Sequence, residues 1–282
     1  MTESKAVPEK LAALRRLFKE LRSVLVCYSG GVDSAFVLKV ACEELGDQAV
    51  GLTAVSPSLS ARERHGAVSL AESFGASHRL VESQEMADAG YVKNDVDRCF
   101  HCKTELYRIA AEKSRQWGLE AIVNGANVDD LGDYRPGLQA ARDAGVRSPL
   151  LEVGFTKADV RAAAKEIGLP VWDKPAAACL ASRIPYGTRV TEERLAQVGG
   201  FEETLRQLGF RQLRVRYHDH IARIELGLGE LAKATDPAVR ERIVVAGKEH
   251  GFKYITLDLA GYRTGSHNEV LQADGSLRVI GQ

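Results

Sequence analysis

Apolar and polar positions follow two periods along the chain. Leu11, Leu14, Leu17, Phe18 and Leu21 recur at helical spacing and predict an amphipathic helix over 9–22. VLVCY (24–28) is a continuous apolar run, as expected of a strand buried on both faces. A helix over 34–45, a strand AVGLTAV (49–55), a helix over 60–74 ending at Gly75 and a short strand near 78–82 continue the pattern. A helix over 102–117 closed by Gly118, a strand AIVNG (121–125), a candidate fifth strand SPLLEV (148–153) and a helix over 157–167 stopped by GLP complete it. Strands alternating with helices predict an α/β domain over 1–185, with a doubly wound, parallel, five-stranded sheet. Ligands of such sheets bind at the carboxyl ends of the strands, where strand order reverses.

After IPYGT (184–188) the period changes. QLRVRYHDHIARIEL (212–226) alternates about a tight turn and predicts a hairpin. Asp236 and Pro237 are placed as N-cap and first residue of a helix reaching about His250, and YITLDL is a further strand. A second, smaller α/β domain over 186–282 is therefore expected, with substrate binding or oligomerisation as its role.

Charge narrows the partners. Lysine plus arginine and aspartate plus glutamate number 38 each, so no net charge draws the chain to nucleic acid or to a membrane surface. The charged N-terminus lacks an apolar signal core and no run is long enough to span a bilayer, which makes the cytoplasm the default location. In that reducing compartment the five cysteines are expected as buried thiols, metal ligands or catalysts rather than a disulfide framework. Cys27 in the first strand and Cys42 on the following helix read as core thiols.

YSGGVDS (28–34) joins the first strand to a helix. Gly30 and Gly31 let backbone N–H groups approach an anion, Ser29 and Ser34 offer hydroxyls, and the helix N-terminus adds partial positive charge. This is a phosphate cradle, but not the mononucleotide type ending in GK[ST], because no lysine reaches in. The motif resembles the PP-loop of ATP pyrophosphatases, which cleave ATP between the α- and β-phosphates, adenylate a substrate oxygen and let a nucleophile displace AMP. The resemblance implies the adenine nucleotide alpha hydrolase-like fold, with Asp33 helping to hold Mg²⁺ and adenine lying near Val55 and Ser56.

Four further stretches carry candidate chemistry. GANVDDLGDYRPG (125–137) brings Asp129, Asp130, Asp133 and Arg135 to the end of the fourth strand, as Mg²⁺ and substrate ligands or as a solvated acidic turn. In KPAAACLASRIPYGT (174–188) Arg183 stands near Cys179 and would favour its thiolate; the alternative is a packed hinge. In LRVRYHD, Arg214, Arg216 and His218 share one strand face, either as a clamp for a phosphate or as a solvated face. Glu202, Glu203 and Glu225 are possible metal ligands. Finally, RCFHC sets Cys99 and Cys102 around His101, a spacing open to zinc, a redox disulfide or an iron–sulfur cluster.

YSGGVDS, RCFHCK, GANVDDLGDYRPG, FTKADVRAAAKEIGLP, KPAAACLASRIPYGT and RVRYHDHIARIE occur in the order seen in the LarE sulfur transferases, and the resemblance covers nearly the whole chain. It implies an ATP-dependent sulfur insertase for the nickel-pincer nucleotide cofactor. The implied substrate is pyridinium-3,5-biscarboxylic acid mononucleotide, whose carboxylates are adenylated in turn and converted to thiocarboxylates, with Arg214 and Arg216 on its phosphate. The family draws sulfur either from a sacrificed cysteine, matching Cys179, or from a [4Fe-4S] cluster on three cysteines. Cys99, Cys102 and Cys179 match the three-cysteine pattern. The family also implies a homo-oligomer, with a hexamer suspected. Competing expectations are a PP-loop tRNA thiolase, disfavoured by the zero net charge, an amide-forming synthetase, which would leave the cysteines idle, and a non-catalytic nucleotide sensor.

Overall fold

The computed structural model describes residues 6–132, 136–175 and 178–263. In chain order the elements are α1 (Val7–Leu21), β1 (Val24–Cys27), α2 (Val32–Leu45), β2 (Ala49–Val55), α3 (Ala61–Ser73), β3 (Ser77–Glu82), α4 (Ala89–Lys93), α5 (Arg98–Trp117) and β4 (Ala121–Val123). Then come α6 (Pro136–Asp143), α7 (Pro149–Val153), α8 (Lys157–Glu166), α9 (Glu192–Gln207), β5 (Leu213–His218), β6 (Ile221–Leu226), α10 (Leu231–Thr235), α11 (Pro237–Glu249) and β7 (Tyr254–Leu257). They form two compact units, Met1–Asp88 with Asp97–Ala177, and Ala89–Val96 with Ala178–Gln282. No helix among the described residues is long and apolar enough to cross a membrane.

The first unit is built on a parallel sheet in the order β3-β2-β1-β4. The four residues of β1 are all buried, as a continuous apolar run between two layers of helix requires. On one face α1, α2, α8 and the turn before α8 bring Leu14, Phe18, Phe36, Val160 and Phe155 into a single core. On the other, α5 and α6 pack Tyr107, Ile109, Ala140 and Ala141 against Leu25, Cys27 and Leu52 of the sheet. The sheet is thus doubly wound. Strand order runs outward from β1 to β3 and then returns to β4 on the far side of β1, so the reversal lies between β1 and β4.

The expected fifth strand is not one. SPLLEV forms the short helix α7, with Pro149 at its first position and Gly154 closing it in the left-handed conformation at φ 81°. Proline pre-sets a helical φ and has no N–H to give a ladder, whereas Leu150 still reaches the core, so the apolar run is satisfied by a helix. Only Arg147, just before it, touches the sheet edge, exchanging backbone hydrogen bonds with Ile122 (3.0 Å) and Asn124 (3.0 Å). The described sheet therefore has four strands. A second difference concerns α5, which begins at Arg98 rather than 102 and takes RCFHC into its first turns.

The second unit carries the predicted hairpin, β5 antiparallel to β6, extended by β7 running parallel to β6. Asp219 makes the turn at φ 52°. Asp236 caps α11 by accepting from the N–H groups of Ala238 (3.1 Å) and Val239 (3.2 Å), as its place before Pro237 indicated. α9 was not anticipated, since Gly199 and Gly200 interrupt its sequence pattern. It buries Leu195, Val198, Phe201 and Leu205, with the Phe201 ring 6.0 Å from that of Phe252. Asn94 ties α4 into this unit, donating from its buried amide to the carbonyls of Pro185 (2.8 Å) and Thr188 (2.8 Å).

Candidate active site

The loop after β1 lies at the point of strand reversal. Tyr28 N–H still bonds the Leu52 carbonyl at 2.8 Å, and the chain then turns at Gly30, whose φ of +72° favours glycine. A Cβ there would stand 2.9 Å from Cβ of Ala67, so the residue is fixed by close packing as well. Ser29 and Ser34 hydroxyls face each other at 3.1 Å, and Ser34 also donates to the Gly31 carbonyl at 3.1 Å. α2 then opens with no side chain capping it. Its first N–H groups and the positive end of its dipole are left for an anion.

The loop after β4 closes on the same place. A Cβ on Gly125 would lie 2.8 Å from the Ser34 nitrogen, which is why the two loops approach so closely. Asn127 donates from its side chain to Asp33 Oδ1 (3.3 Å), while its own N–H is held by Asp130 (2.9 Å). Asp129 accepts from the Lys157 backbone N–H at 2.7 Å. Arg135 and Asp133 lie outside the described residues.

Two lysines, unforeseen from the sequence, do reach this loop. Lys157, the first residue of α8, pairs through its ammonium with Asp33 Oδ2. Lys174 bonds Glu63 (2.7 Å) and the Gly30 carbonyl (3.3 Å). α8 is anchored for this by a capping box, Thr156 with Asp159, and by Lys10 on Asp159 at 2.7 Å. Burial would raise the Asp159 carboxyl, but the bonds from Lys10 and Thr156 win and hold it below its usual range. At the end of β2, Ser56 and Ser58 both donate to the buried Glu85 carboxylate at 2.5 Å, so the stretch expected beside adenine is held by a residue that sequence reasoning missed.

Cys99 and Cys102 fall in the first turns of α5; Cys99 is exposed and Cys102 half-buried. His101 between them contacts Asp88 (3.1 Å) and Asp97 (3.6 Å). Burial lowers the Lys103 ammonium, but Tyr107, Cys102, Cys27 and Cys99 outweigh it and leave the group above its ordinary value. Cys27 itself is a core thiol, pushed up by burial to about 12, and the half-buried Cys42 is pushed up by burial to about 11.

In the second unit, Cys179 is exposed just before a helical turn over Leu180–Arg183. Its carbonyl accepts from the Ser182 hydroxyl (2.8 Å) and from Arg183 Nη1 (3.2 Å). Arg183 is buried and forks onto Glu202 at 2.8 and 3.1 Å. Arg216, also buried, forks onto Glu225 at 2.9 and 3.1 Å and donates to the Ser182 carbonyl at 2.8 Å. Two of the three arginines therefore brace the cysteine turn, and the carboxylates considered as metal ligands, Glu202 and Glu225, face guanidinium groups. Arg214 differs. It lies 4.5 Å from the Tyr262 ring centroid and forms no ion pair with a carboxylate among the described residues. Burial, and then Arg183 and Arg216 nearby, lower its pKa despite the opposing pull of Tyr262 and Glu225. The basic face is thus buried apart from His218 rather than solvated.

The donor chemistry fits the groups the sequence implied. Asp33 and Asp129 are oxygen donors suited to Mg²⁺, and Cys99, Cys102 and Cys179, none of them in a disulfide, are sulfur donors suited to iron–sulfur ligation. Within either unit, no three His, Cys, Asp or Glu side chains among the described residues converge as metal ligands.

The first unit is thus an α/β fold with a parallel sheet and a serine- and glycine-rich loop opening a helix at its switch point. No family model matches the chain. It is 40% identical over 266 residues to the pyridinium-3,5-bisthiocarboxylic acid mononucleotide synthase of Lactiplantibacillus plantarum, covering 93% of this chain and 95% of that protein. A protein of Synechocystis sp. named only as uncharacterized is 45% identical over 262 residues, covering 93% of this chain and 98% of its own. An uncharacterized protein of Methanocaldococcus jannaschii is 27% identical over 259 residues, covering 91% and 98%. The chain belongs to the LarE family.

Proposed function

We propose that this protein is an enzyme that uses ATP to convert the carboxylates of pyridinium-3,5-biscarboxylic acid mononucleotide into thiocarboxylates. The observation that carries this reading is the cradle at the β1–β4 reversal, in a chain so similar over its length to a synthase of the bisthiocarboxylic product. A carboxylate oxygen attacks the α-phosphorus of ATP, the bond to the bridging oxygen of the β-phosphate breaks, and pyrophosphate leaves. The acyl adenylate now has a good leaving group. A sulfur nucleophile adds to its carbon, the C–O bond to AMP breaks, and a carbon–sulfur bond remains.

The residues divide this work. Ser29, Gly30, Gly31 and Ser34 with the N-terminus of α2 receive the phosphates that become pyrophosphate. Asp33 and Asp129 serve Mg²⁺. Arg214, charged and unpaired with any described carboxylate, takes the phosphate of the mononucleotide, while Arg183 and Arg216 shape the turn that presents Cys179.

For the sulfur, Cys99, Cys102 and Cys179 would hold a [4Fe-4S] cluster, which when bound supplies a transferable sulfide at the iron lacking a protein thiolate. A second reading rests on the exposure of Cys179 and its braced carbonyl: the Cys179 thiolate attacks the acyl adenylate itself, and loss of its α-proton with cleavage of the Cβ–S bond leaves dehydroalanine. Iron content after anaerobic reconstitution, with intact mass after turnover, tests the assignment. With inorganic sulfide supplied to replace the sulfide transferred, bound iron and an unchanged protein mass over many turnovers are expected. A colourless, iron-free protein that loses the elements of H₂S at Cys179 after one turnover would replace the cluster with the sacrificial route.

A further inference from the structure

We propose that Ser56 reads the base of the nucleotide as a hydrogen-bond acceptor, and that the buried Glu85 sets this polarity and so selects a 6-aminopurine over a 6-oxopurine; this rests on the ATP-dependent reading above. Ser56 follows β2, the neighbour of β1, so it lies about one strand spacing, ~5 Å, from the strand that leads into the cradle. On the other side of β1 the loop after β4 packs directly on the start of α2, where a Cβ on Gly125 would meet the Ser34 nitrogen at 2.8 Å. With phosphates in the cradle, the crevice left for the base is therefore at the carboxyl end of β2. The backbone there is already engaged. The Val55 carbonyl takes the Ser83 N–H at 2.8 Å, and the Ser56 carbonyl takes the Leu59 N–H at 3.0 Å. Recognition of the base edge then falls to a side chain.

That side chain has a fixed polarity. Ser56 and Ser58 have one hydroxyl proton each, and both give it to the same Glu85 oxygen at 2.5 Å. Their own oxygens, 2.9 Å apart, are left to accept. One lone pair of Ser56 takes the Ser58 N–H at 3.3 Å, and the other is engaged by no described residue. Glu85 is 3% exposed, and no lysine, arginine or histidine among the described residues pairs with it. A buried carboxylate without a cation is a costly way to hold a turn, which an uncharged amide would hold at less cost. What the carboxylate adds is that it only accepts, so it draws both serine protons toward itself. The exocyclic amine of adenine donates to the free lone pair of Ser56, whereas the O6 carbonyl of guanine would set two acceptors face to face. Glu85 acts through Ser56 and is a positioning residue; Ser56 makes the contact.

The test is a ratio of affinities measured without turnover. Titration calorimetry with α,β-methylene-ATP and α,β-methylene-GTP, neither of which can be cleaved at the α–β position, is carried out on wild type, Ser56→Ala, Glu85→Leu and Glu85→Gln. Wild type is expected to bind the adenine probe at least ~30-fold more tightly than the guanine probe. Ser56→Ala removes the acceptor, and Glu85→Leu frees the serine protons to donate to O6, so each should reduce that preference by about tenfold or more. The amide carbonyl in Glu85→Gln still accepts and should restore part of it. A merely structural role would weaken both probes together and leave the ratio unmoved. Ser56→Ala removes one oxygen from a half-buried side chain, so it carries the test even where Glu85→Leu does not fold. An unchanged ratio in Ser56→Ala or in folded Glu85→Leu, or a wild type that binds both probes alike, would overturn this assignment and leave the ATP reading intact. A wild type that binds neither probe would overturn the ATP reading and this inference with it.

Discussion

The Lys157 ammonium rests on the Asp33 carboxylate, a partner 124 positions away in the chain. That contact joins the loop after β1 to the start of α8. With Asn127 and Asp129 from the loop after β4, it makes the strand-reversal point a single hydrogen-bonded assembly. Most of what can be tested about the site follows from how closely its parts are fitted.

Gly125→Ala should damage the site through one methyl group. Its Cβ would sit 2.8 Å from the Ser34 nitrogen, which is backbone and cannot swing away. The expected cost is about 1–3 kcal/mol in urea unfolding, the range for forcing an extra carbon into a packed region. Nucleotide affinity should fall as well, because relief comes from moving the loop that cradles phosphate. Unchanged stability and unchanged affinity would show that the loops are not in contact as described.

The arginines should separate by burial. Arg183→Ala removes the buried fork onto Glu202, leaving that carboxylate to Arg206 at 3.5 Å and the Val215 N–H at 3.1 Å, and should cost about 3–5 kcal/mol. Arg147→Ala breaks an ion pair with Glu152 whose side chains are 40% and 34% exposed, and should cost about 0–1 kcal/mol. Urea denaturation of the two variants beside wild type measures both, and equal losses would contradict the burial described.

The thiols should alkylate in a definite order. Cys99 and Cys179 are exposed, whereas Cys27 is buried with its pKa pushed to about 12 and Cys42 is half-buried at about 11. Because the thiolate is the reacting form, native Cys27 should react at least ~100-fold more slowly than Cys99 or Cys179. A time course with iodoacetamide on iron-free protein, read by peptide mass spectrometry, checks this. Rapid native labelling of Cys27 would contradict its place in the core.

His78 should titrate low. Thr53 gives its one hydroxyl proton to the Tyr28 carbonyl at 2.7 Å, so it accepts from His78 Nε2 at 2.8 Å, and the imidazole is neutral with the proton on Nε2. Burial lowers its pKa below the ordinary 6.5, the Glu72 charge opposing only in part. A histidine depressed in the folded state binds its proton more readily when unfolded. Its contribution is therefore intact above 6.5 and turns destabilising as pH falls below that value. NMR titration should place His78 under 6.5, and His78→Gln should flatten that part of the acid limb of stability. A pKa at or above 6.5 would contradict the burial.

These features were not equally legible in the sequence. The cradle was legible because its parts are contiguous: a buried apolar strand, two glycines, flanking serines and a helix start. Lys157 and Lys174 were not, because their partners lie 124 and 144 positions away and only the folded sheet brings them together. SPLLEV misled because a short apolar run satisfies a core equally as strand or helix, and Pro149 decided the matter. Alternation in LRVRYHD correctly gave a strand with its arginines on one face. It gave no sign that Arg216 would be spent on Glu225, since that pairing depends on the register of β5 against β6. α9 was hidden by two adjacent glycines in the middle of a helix that buries only one face.

The central claim is tested most directly by following both halves of the reaction at once. Iron-reconstituted protein is incubated anaerobically with ATP, Mg²⁺ and pyridinium-3,5-biscarboxylic acid mononucleotide; AMP, pyrophosphate and the nucleotide products are then quantified by mass spectrometry. The account predicts one AMP and one pyrophosphate for each carboxylate that becomes a thiocarboxylate, and no AMP when the mononucleotide is omitted. Thiocarboxylate formed without AMP, or ATP consumed to ADP and phosphate, would contradict it.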